Sequence, residues 1–272
     1  MTHDLDDIST RACWTRLSET PEDIARMSMR FMQEFSTRLK TGPWDVLEGE
    51  WDGTEAGLAE VIKRNPITDD DGEPIPGDGY DIFLTNHNKP LDTSFSVQAG
   101  EDQLIKRIAS PCFMQKYYYS EHASAGELWD ASVHAAVMAF DPAFVTGQER
   151  AVLRMTRRGG WKISFGYRVW INDWVGKITS HAEGLTTERL GNGTLIKVPE
   201  HLARTASRRR SHRNLPNQQP RRSPHRMVTP PGPRTGKDNP AVPTARHDRT
   251  DHQILGFPCL VGIVPAPPDS SG

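Results

Sequence analysis

The residues that could build a hydrophobic core end near position 200 of this 272-residue chain. All seven tryptophans lie between Trp14 and Trp174, whereas twelve of the 21 prolines follow residue 200. Aromatic side chains supply much of the buried area of a folded domain, so the first part of the chain can form a core. The last part has no Trp or Tyr and cannot offset the conformational entropy lost on ordering. We therefore predict a folded domain at 1–202 and a disordered extension at 203–272.

The two parts of the chain carry opposite charges. Residues 1–200 contain 21 Lys and Arg against 31 Asp and Glu, a net charge of −10, and residues 201–272 contain 12 against 4, a net charge of +8. An acidic domain repels nucleic acid, so we expect a basic protein partner for it and no binding of DNA. The extension could contact phosphates through its arginines, but it lacks the aromatic residues that stack on bases.

No targeting segment or cysteine pattern stands out. Residues 1–7 are acidic and contain no apolar run, and the longest apolar stretch, 254–265, is shorter than the ~20 residues that cross a bilayer. Cys13, Cys112 and Cys259 are widely spaced and odd in number, so we expect no disulfide framework. A reducing cytoplasm is the compartment that these features favour, and we expect no membrane partner.

Three helices are predicted from start and stop signals. The first follows Thr20 as its N-cap, begins at Pro21 and ends before the Gly42-Pro43 pair. A second, shorter helix is expected at 55–64. The third follows Ser124, which starts a capping box, and Asp141-Pro142 ends it because the residue before proline avoids the helical region.

Strands are predicted from alternation of apolar and polar residues and from turn signals. Two-residue turns such as Asn192-Gly193 are typical of hairpins. Helices that lie between separate hairpins favour an α+β fold, with a mostly antiparallel sheet packed against about three helices. The predicted strands are an edge strand at 8–17, a hairpin of 80–85 and 93–99 joined by a loop at 86–90, an alternating strand at 161–169, and a hairpin of 186–190 and 194–198.

The sequence contains no spacing typical of a metal or catalytic site. The run Asp69-Asp70-Asp71-Gly72-Glu73 has Pro74 where a calcium loop needs its glycine, and we interpret it as an exposed acidic turn. Cys112, His122 and His134 do not follow a zinc pattern, and His87 fits a hairpin loop. Nucleophile-elbow, phosphate-loop and dinucleotide motifs are also missing. We predict a protein that is not an enzyme and uses no cofactor or metal.

Short motifs in a fixed order resemble the immunity protein 52 family of bacterial polymorphic toxin systems over residues 8–202. They are Trp14-Thr15-Arg16 with Glu19, Pro43-Trp44, Phe140-Asp141-Pro142, Gly160-Trp161, Gly193-Thr194-Leu195 and Pro199-Glu200-His201. The resemblance implies an α+β protein that binds and neutralises a cognate toxin, typically a nuclease of restriction-endonuclease fold.

The chain departs from the family pattern in two places. Thr15 stands where the family has glycine in its Trp-x-Arg element, and after His201 the chain turns basic and proline-rich instead of continuing into a final helix. A shifted reading frame and a fused extension would each produce such an ending. We interpret Trp14, Trp161 and the Asp141-Pro142 pair as core and turn residues, not as a binding site.

The acidic residues are the candidate partner-binding site. They form two dense runs, and complementary charge would speed the association with a basic toxin. Two other functions remain open: a hydrolase or nuclease with an unfamiliar site, and a nucleic-acid-associated protein that acts through its basic extension. The candidate residues are Asp69, Asp70, Asp71, Glu73 and Asp78 in the first run and Asp45, Glu48, Glu50 and Asp52, followed by Glu55, in the second.

Overall fold

The fold is known from a computed structural model, which describes residues 5, 8–104, 111–150, 152, 163, 166–199 and 261–265. These residues form a nine-stranded sheet, three helices and a separate two-stranded sheet. Every pair of neighbouring strands is antiparallel, so the predicted α+β class is confirmed. Most of the predicted disordered extension lies outside the described residues. Within it, 261–265 forms a strand that the sequence analysis did not predict.

The large sheet has the strand order β2-β3-β4-β5-β1-β6-β7-β10-β9, and β8 pairs with β11 in the small sheet. The elements, in chain order, are β1 (Ile8–Cys13), α1 (Pro21–Arg38), β2 (Asp45–Val46), α2 (Glu55–Lys63), β3 (Tyr80–Asn88), β4 (Leu91–Ala99), β5 (Cys112–Ser120), α3 (Ala125–Phe140), β6 (Phe144–Glu149), β7 (Arg168–Asn172), β8 (Gly176–His181), β9 (Thr186–Leu190), β10 (Gly193–Lys197) and β11 (Val261–Pro265).

The first strand lies in the middle of the sheet, so the prediction of an edge strand at 8–17 is wrong. β1 pairs with β5 on one side and with β6 on the other. Ala12 is fully buried towards the helices, and Cys13 is fully buried on the opposite face. A strand that has a neighbour on each side and is buried on both faces is central. The strands that bury β1 follow it in the sequence by about a hundred residues or more.

The three predicted helices are confirmed at their starts, where local signals act. Thr20 and Ser124 form capping boxes, in which each side chain accepts the N–H of the residue three positions later. Thr54 caps α2 in a similar way. The third helix ends at Asp141, whose φ of 43° is left-handed. The caps at Thr20 and Ser124 and the end at Asp141 involve neighbours in sequence, which is why the sequence alone predicted them.

The helices pack on one face of the large sheet around an aromatic cluster. Phe31 of α1 contacts Phe95 and Phe113 of the sheet, with ring centroids 4.9 and 4.5 Å apart. Trp14 stacks on Phe140 at the end of α3, with centroids 5.0 Å apart. All of these rings are buried, and aromatic pairs at such distances contribute beyond the area that they bury.

A buried polar network crosses this core. The hydroxyl of Tyr117 in β5 contacts that of Thr10 in β1 at 3.2 Å and also the hydroxyl of Ser132 in α3. It donates to the side-chain oxygen of Gln115, and burial raises its pKa. Polar groups with such partners escape the cost of burial without a hydrogen bond, so the network fixes how α3 lies on β1 and β5.

Several predicted strands differ from the observed ones. The first hairpin is longer and turns at Lys89-Pro90, so the placement of His87 in a loop is wrong. Residues 161, 162, 164 and 165 of the strand predicted at 161–169 lie outside the described residues, and β7 starts only at Arg168. The last hairpin is confirmed, but it turns at 191–192 instead of 192–193. Strands β2, β5, β6 and β8 were not predicted.

Arg168 does not follow the alternation from which this strand was predicted. The predicted pattern placed this residue on a wet face, but only 7% of it is exposed. Its Nε lies 2.6 Å from a carboxylate oxygen of Asp130, and it donates to the carbonyl of Val198 at 3.1 Å. An ion pair together with carbonyl acceptors makes the burial of a charged residue tolerable.

Replacing Tyr117 with Phe is expected to destabilise the domain by about 1–2 kcal/mol, because buried partners lose a hydrogen bond. Tyr119→Phe is the matched control, since Tyr119 is half-buried and its hydroxyl donates to a carboxylate oxygen of Glu121, which is exposed, at 3.4 Å. We expect the control to stay within about 0.5 kcal/mol of the parent in urea unfolding followed by circular dichroism. Equal effects of the two substitutions would show that the network contributes nothing specific.

Candidate functional site

Both acidic runs lie along one edge of the large sheet. The second run starts in β2, where Asp45 pairs with Thr85 of β3, and continues to the start of α2. The first run lies in the loop between α2 and β3, which joins the sheet where the N–H of Asp81 donates to the carbonyl of Asn65. The two attachment points are four residues apart on β3, or about 13 Å at the rise of a strand.

We call this region the acidic edge and define it by the nine candidate residues. Segment 45–78 contains eleven Asp and Glu against Lys63 and Arg64, a net charge of −9. The whole domain has a net charge of −10, so almost all of its excess charge belongs to this one segment. All of the nine candidates are exposed except Asp78, which is half-buried; they are Asp45, Glu48, Glu50, Asp52, Asp69, Asp70, Asp71, Glu73 and Asp78.

Two of the candidate carboxylates also hold their own loops. Asp52 accepts the hydroxyl of Thr54 at 2.7 Å and its backbone N–H at 2.9 Å, and these bonds lower the pKa of Asp52. Asp69 accepts the backbone N–H groups of Asp71 and Glu73, each at 3.0 Å. Substituting either residue would therefore change the shape of its loop as well as the charge of the edge.

The remaining carboxylates are largely uncompensated. The side chains of Glu48, Glu50, Asp70, Asp71 and Glu73 make no hydrogen bond or ion pair with any residue that the structure describes. Exposed acids without partners create a negative potential over the surface, which attracts a basic partner from a distance and is screened by salt. This arrangement can attract a cationic surface.

Leu47 is a prominent side chain at this edge that the sequence analysis did not select. It follows Val46 of β2, whose side chain is buried, and 59% of Leu47 is exposed. The backbone N–H of Leu47 donates to the carbonyl of Phe83 at 2.9 Å, which fixes it beside β3. Alternation of polar and apolar residues could have indicated that Leu47 points outwards. Strand β2 has only two residues, however, and that is too short to show an alternating pattern.

The histidines that the sequence analysis considered lie apart from one another. His87 is in β3, with Nδ1 2.8 Å from a carboxylate oxygen of Asp92 in β4. His122 is exposed in the turn before α3 and lies 3.7 Å from Glu121. His134 is half-buried in α3, and burial lowers its pKa, as does the nearby Arg38. Among the residues described, no three His, Cys, Asp or Glu side chains form a group that could hold a metal ion.

Cys13 and Cys112 face each other across β1 and β5, although the sequence separates them by 99 residues. Both are free thiols. Burial raises the pKa of Cys13 to about 12 and also raises that of Cys112, against the opposing effect of Arg11. Because the thiolate is the reactive form, the core holds these thiols in their unreactive state at neutral pH.

The Trp14-Thr15-Arg16 motif and Glu19 form a structural junction. The indole N–H of Trp14 donates to a carboxylate oxygen of Glu19 at 2.7 Å, and Arg16 lies 3.6 Å from the same oxygen. Arg16 also donates to the carbonyl of Phe140 at the end of α3. Trp14 is therefore a core residue and Asp141 a helix-ending residue, as the sequence analysis interpreted them, while Trp161 lies outside the described residues.

Comparisons with known proteins add no identification: no family model matches the chain, and no curated protein matches its sequence. In the part of the chain that the structure describes, no helix is long and apolar enough to cross a bilayer.

The Cys13 thiol is expected to resist alkylation in the folded protein. With a pKa of about 12 it is almost fully protonated at pH 8, so iodoacetamide should leave it unmodified for hours. In urea at the same pH its pKa returns to about 8.5 and it should react within minutes. Peptide mass spectrometry would measure both states. Rapid labelling of Cys13 in the folded protein would contradict its placement in the core.

Proposed function

We propose that this chain is an immunity protein that acts in the cytoplasm by binding and neutralising a toxin of a bacterial polymorphic toxin system. The toxin is a basic nuclease domain, of restriction-endonuclease fold by the family resemblance. The observation that supports this proposal most directly is the acidic edge, where one segment carries a net charge of −9 on an exposed border of the sheet. The order of motifs over residues 8–202 supports it independently.

The physical basis is competition for a cationic surface. A nuclease holds DNA by contacts between basic side chains and phosphates, so its binding cleft is positive. Exposed carboxylates offer that cleft an alternative anion, and the complementary fields raise the rate of association. Once bound, the domain would exclude DNA from the cleft by its volume, without any chemistry of its own.

Co-expression tests the proposal directly. Cells that produce the nuclease domain encoded beside this chain should die, and cells that also produce the full chain should grow. A catalytically inactive toxin should then co-purify with the chain. If the cells die equally fast with and without this protein, and the inactive toxin does not bind it, the proposed function is wrong.

Reversing charge at the acidic edge is expected to slow association with the toxin. The Asp70→Lys/Glu73→Lys variant spares Asp69, whose carboxylate holds the loop. We expect an association rate about tenfold lower than that of the parent at low salt, with the difference shrinking above ~0.5 M salt because screening shortens the reach of charge. Stopped-flow or surface plasmon resonance measures this rate.

The matched control for that experiment is Glu34→Lys/Glu183→Lys, which makes the same change of net charge elsewhere. Glu34 lies on α1 near His134 of α3, and Glu183 lies between β8 and β9. Association should slow far less in this control. Equal slowing by the two variants would mean that net charge matters and the location of the acidic edge does not.

A further inference from the structure

Apolar side chains form a row on the sheet face opposite the helices, in which Leu47 and Met114 are exposed and Phe83 is half-buried. Val46 and Leu84 are buried towards the helices, so their chain neighbours Leu47 and Phe83 point to the other face. Phe83 pairs with Ser96 of β4, and Ser96 pairs with Met114 of β5. We call Leu47, Phe83 and Met114 the apolar row. It spans three strand spacings, or about 14 Å.

Both ends of the row are exposed to solvent, whereas the other half of the same face is covered. Val169, Ile171 and Ile196 pack under residues of the β8 region, namely Val175, Ile178 and Leu185. Among the described residues, none of the apolar clusters includes the row. Leu47 is 59% exposed and Met114 38%, and Tyr118, four residues further along β5, is 40% exposed. Large apolar groups left together on a face mark an interaction surface.

Charge around the row selects the occupant. Asp45 precedes Leu47 by two residues on the same side of β2, Asp81 precedes Phe83 in the same way, and both are exposed. Two cations lie at the other end of the row among the described residues: Lys116 is exposed, and Arg11 of β1, which pairs with Met114, is half-buried. The row also borders the acidic edge, where segment 45–78 has a net charge of −9, so this side of the domain repels nucleic acid and favours a basic partner. The complementary occupant is a basic protein surface with apolar side chains.

We propose that the apolar row is the contact that holds the toxin after the acidic edge has attracted it. This inference rests on the proposed function and deepens it. In it the acidic edge sets the rate at which the toxin associates, and the apolar row sets the rate at which it dissociates. Buried apolar anchors govern the dissociation of complexes, while charges at the rim of an interface govern association. The site therefore extends from the edge at β2 onto the uncovered face of β3, β4 and β5.

The test is the Leu47→Ser/Met114→Ser variant measured against inactive toxin. Both side chains are exposed, so the variant should unfold at the parent's urea midpoint. We expect its dissociation rate to rise at least tenfold with an association rate within twofold of the parent. The control variant, Leu17→Ser/Trp174→Ser, removes exposed apolar groups elsewhere and should dissociate like the parent.

The outcomes separate this inference from the function on which it rests. If the parent binds toxin and protects cells but the Leu47→Ser/Met114→Ser variant dissociates like it, the apolar row is not the contact and the proposed function stands. If the parent does not bind toxin, both proposals are wrong.

A second readout tests the occupant. A photoreactive benzoyl-phenylalanine at position 47 should crosslink to toxin, and the same group at position 174 should not. Light scattering of the isolated chain should give the mass of a monomer. A dimer that the Leu47→Ser/Met114→Ser variant dissociates would identify a second copy as the occupant and overturn the proposal.

Discussion

The large sheet depends on the insertion of β1 between strands that the chain forms much later. On one side β1 pairs with β5, which belongs to the run β2 to β5, and on the other it pairs with β6, which leads to β7, β10 and β9. Without this strand the domain would be two half-sheets with exposed edges. Unpaired backbone groups at such edges are costly when buried, so the central pairing makes one folding unit of the domain.

The residues that follow β1 connect the sheet to the helices. Trp14 leaves the strand and stacks on Phe140, while its indole N–H bonds Glu19 just before α1. Glu19 also accepts the backbone N–H of Gly100 at the end of β4. Only 8% of Glu19 is exposed, and its nearby hydrogen-bond donors, with Arg16, compensate for that burial. The Trp14-Thr15-Arg16 motif and Glu19 thus join the end of β1 to the helices and to the end of β4.

The two faces of the sheet differ in how they are covered. The face towards the helices is closed by aromatic rings and by the Tyr117 network. The other face is covered over β7 and β10 but leaves Leu47 and Met114 exposed, with the half-buried Phe83 between them, near the border that bears the acidic edge. An apolar area next to an acidic edge is the kind of surface that the proposed basic partner would need.

The sequence by itself determined the features that depend on neighbours along the chain. Caps at Thr20 and Ser124, the final hairpin and the α+β class follow from local signals and alternation, and the acidic candidates follow from composition. Only the tertiary structure decided that β1 is central, that Cys13 faces Cys112, and that both acidic runs share an edge with an exposed Leu47. These facts depend on pairing between distant strands, and strand register is set by burial across the whole sheet, which no local window of sequence contains.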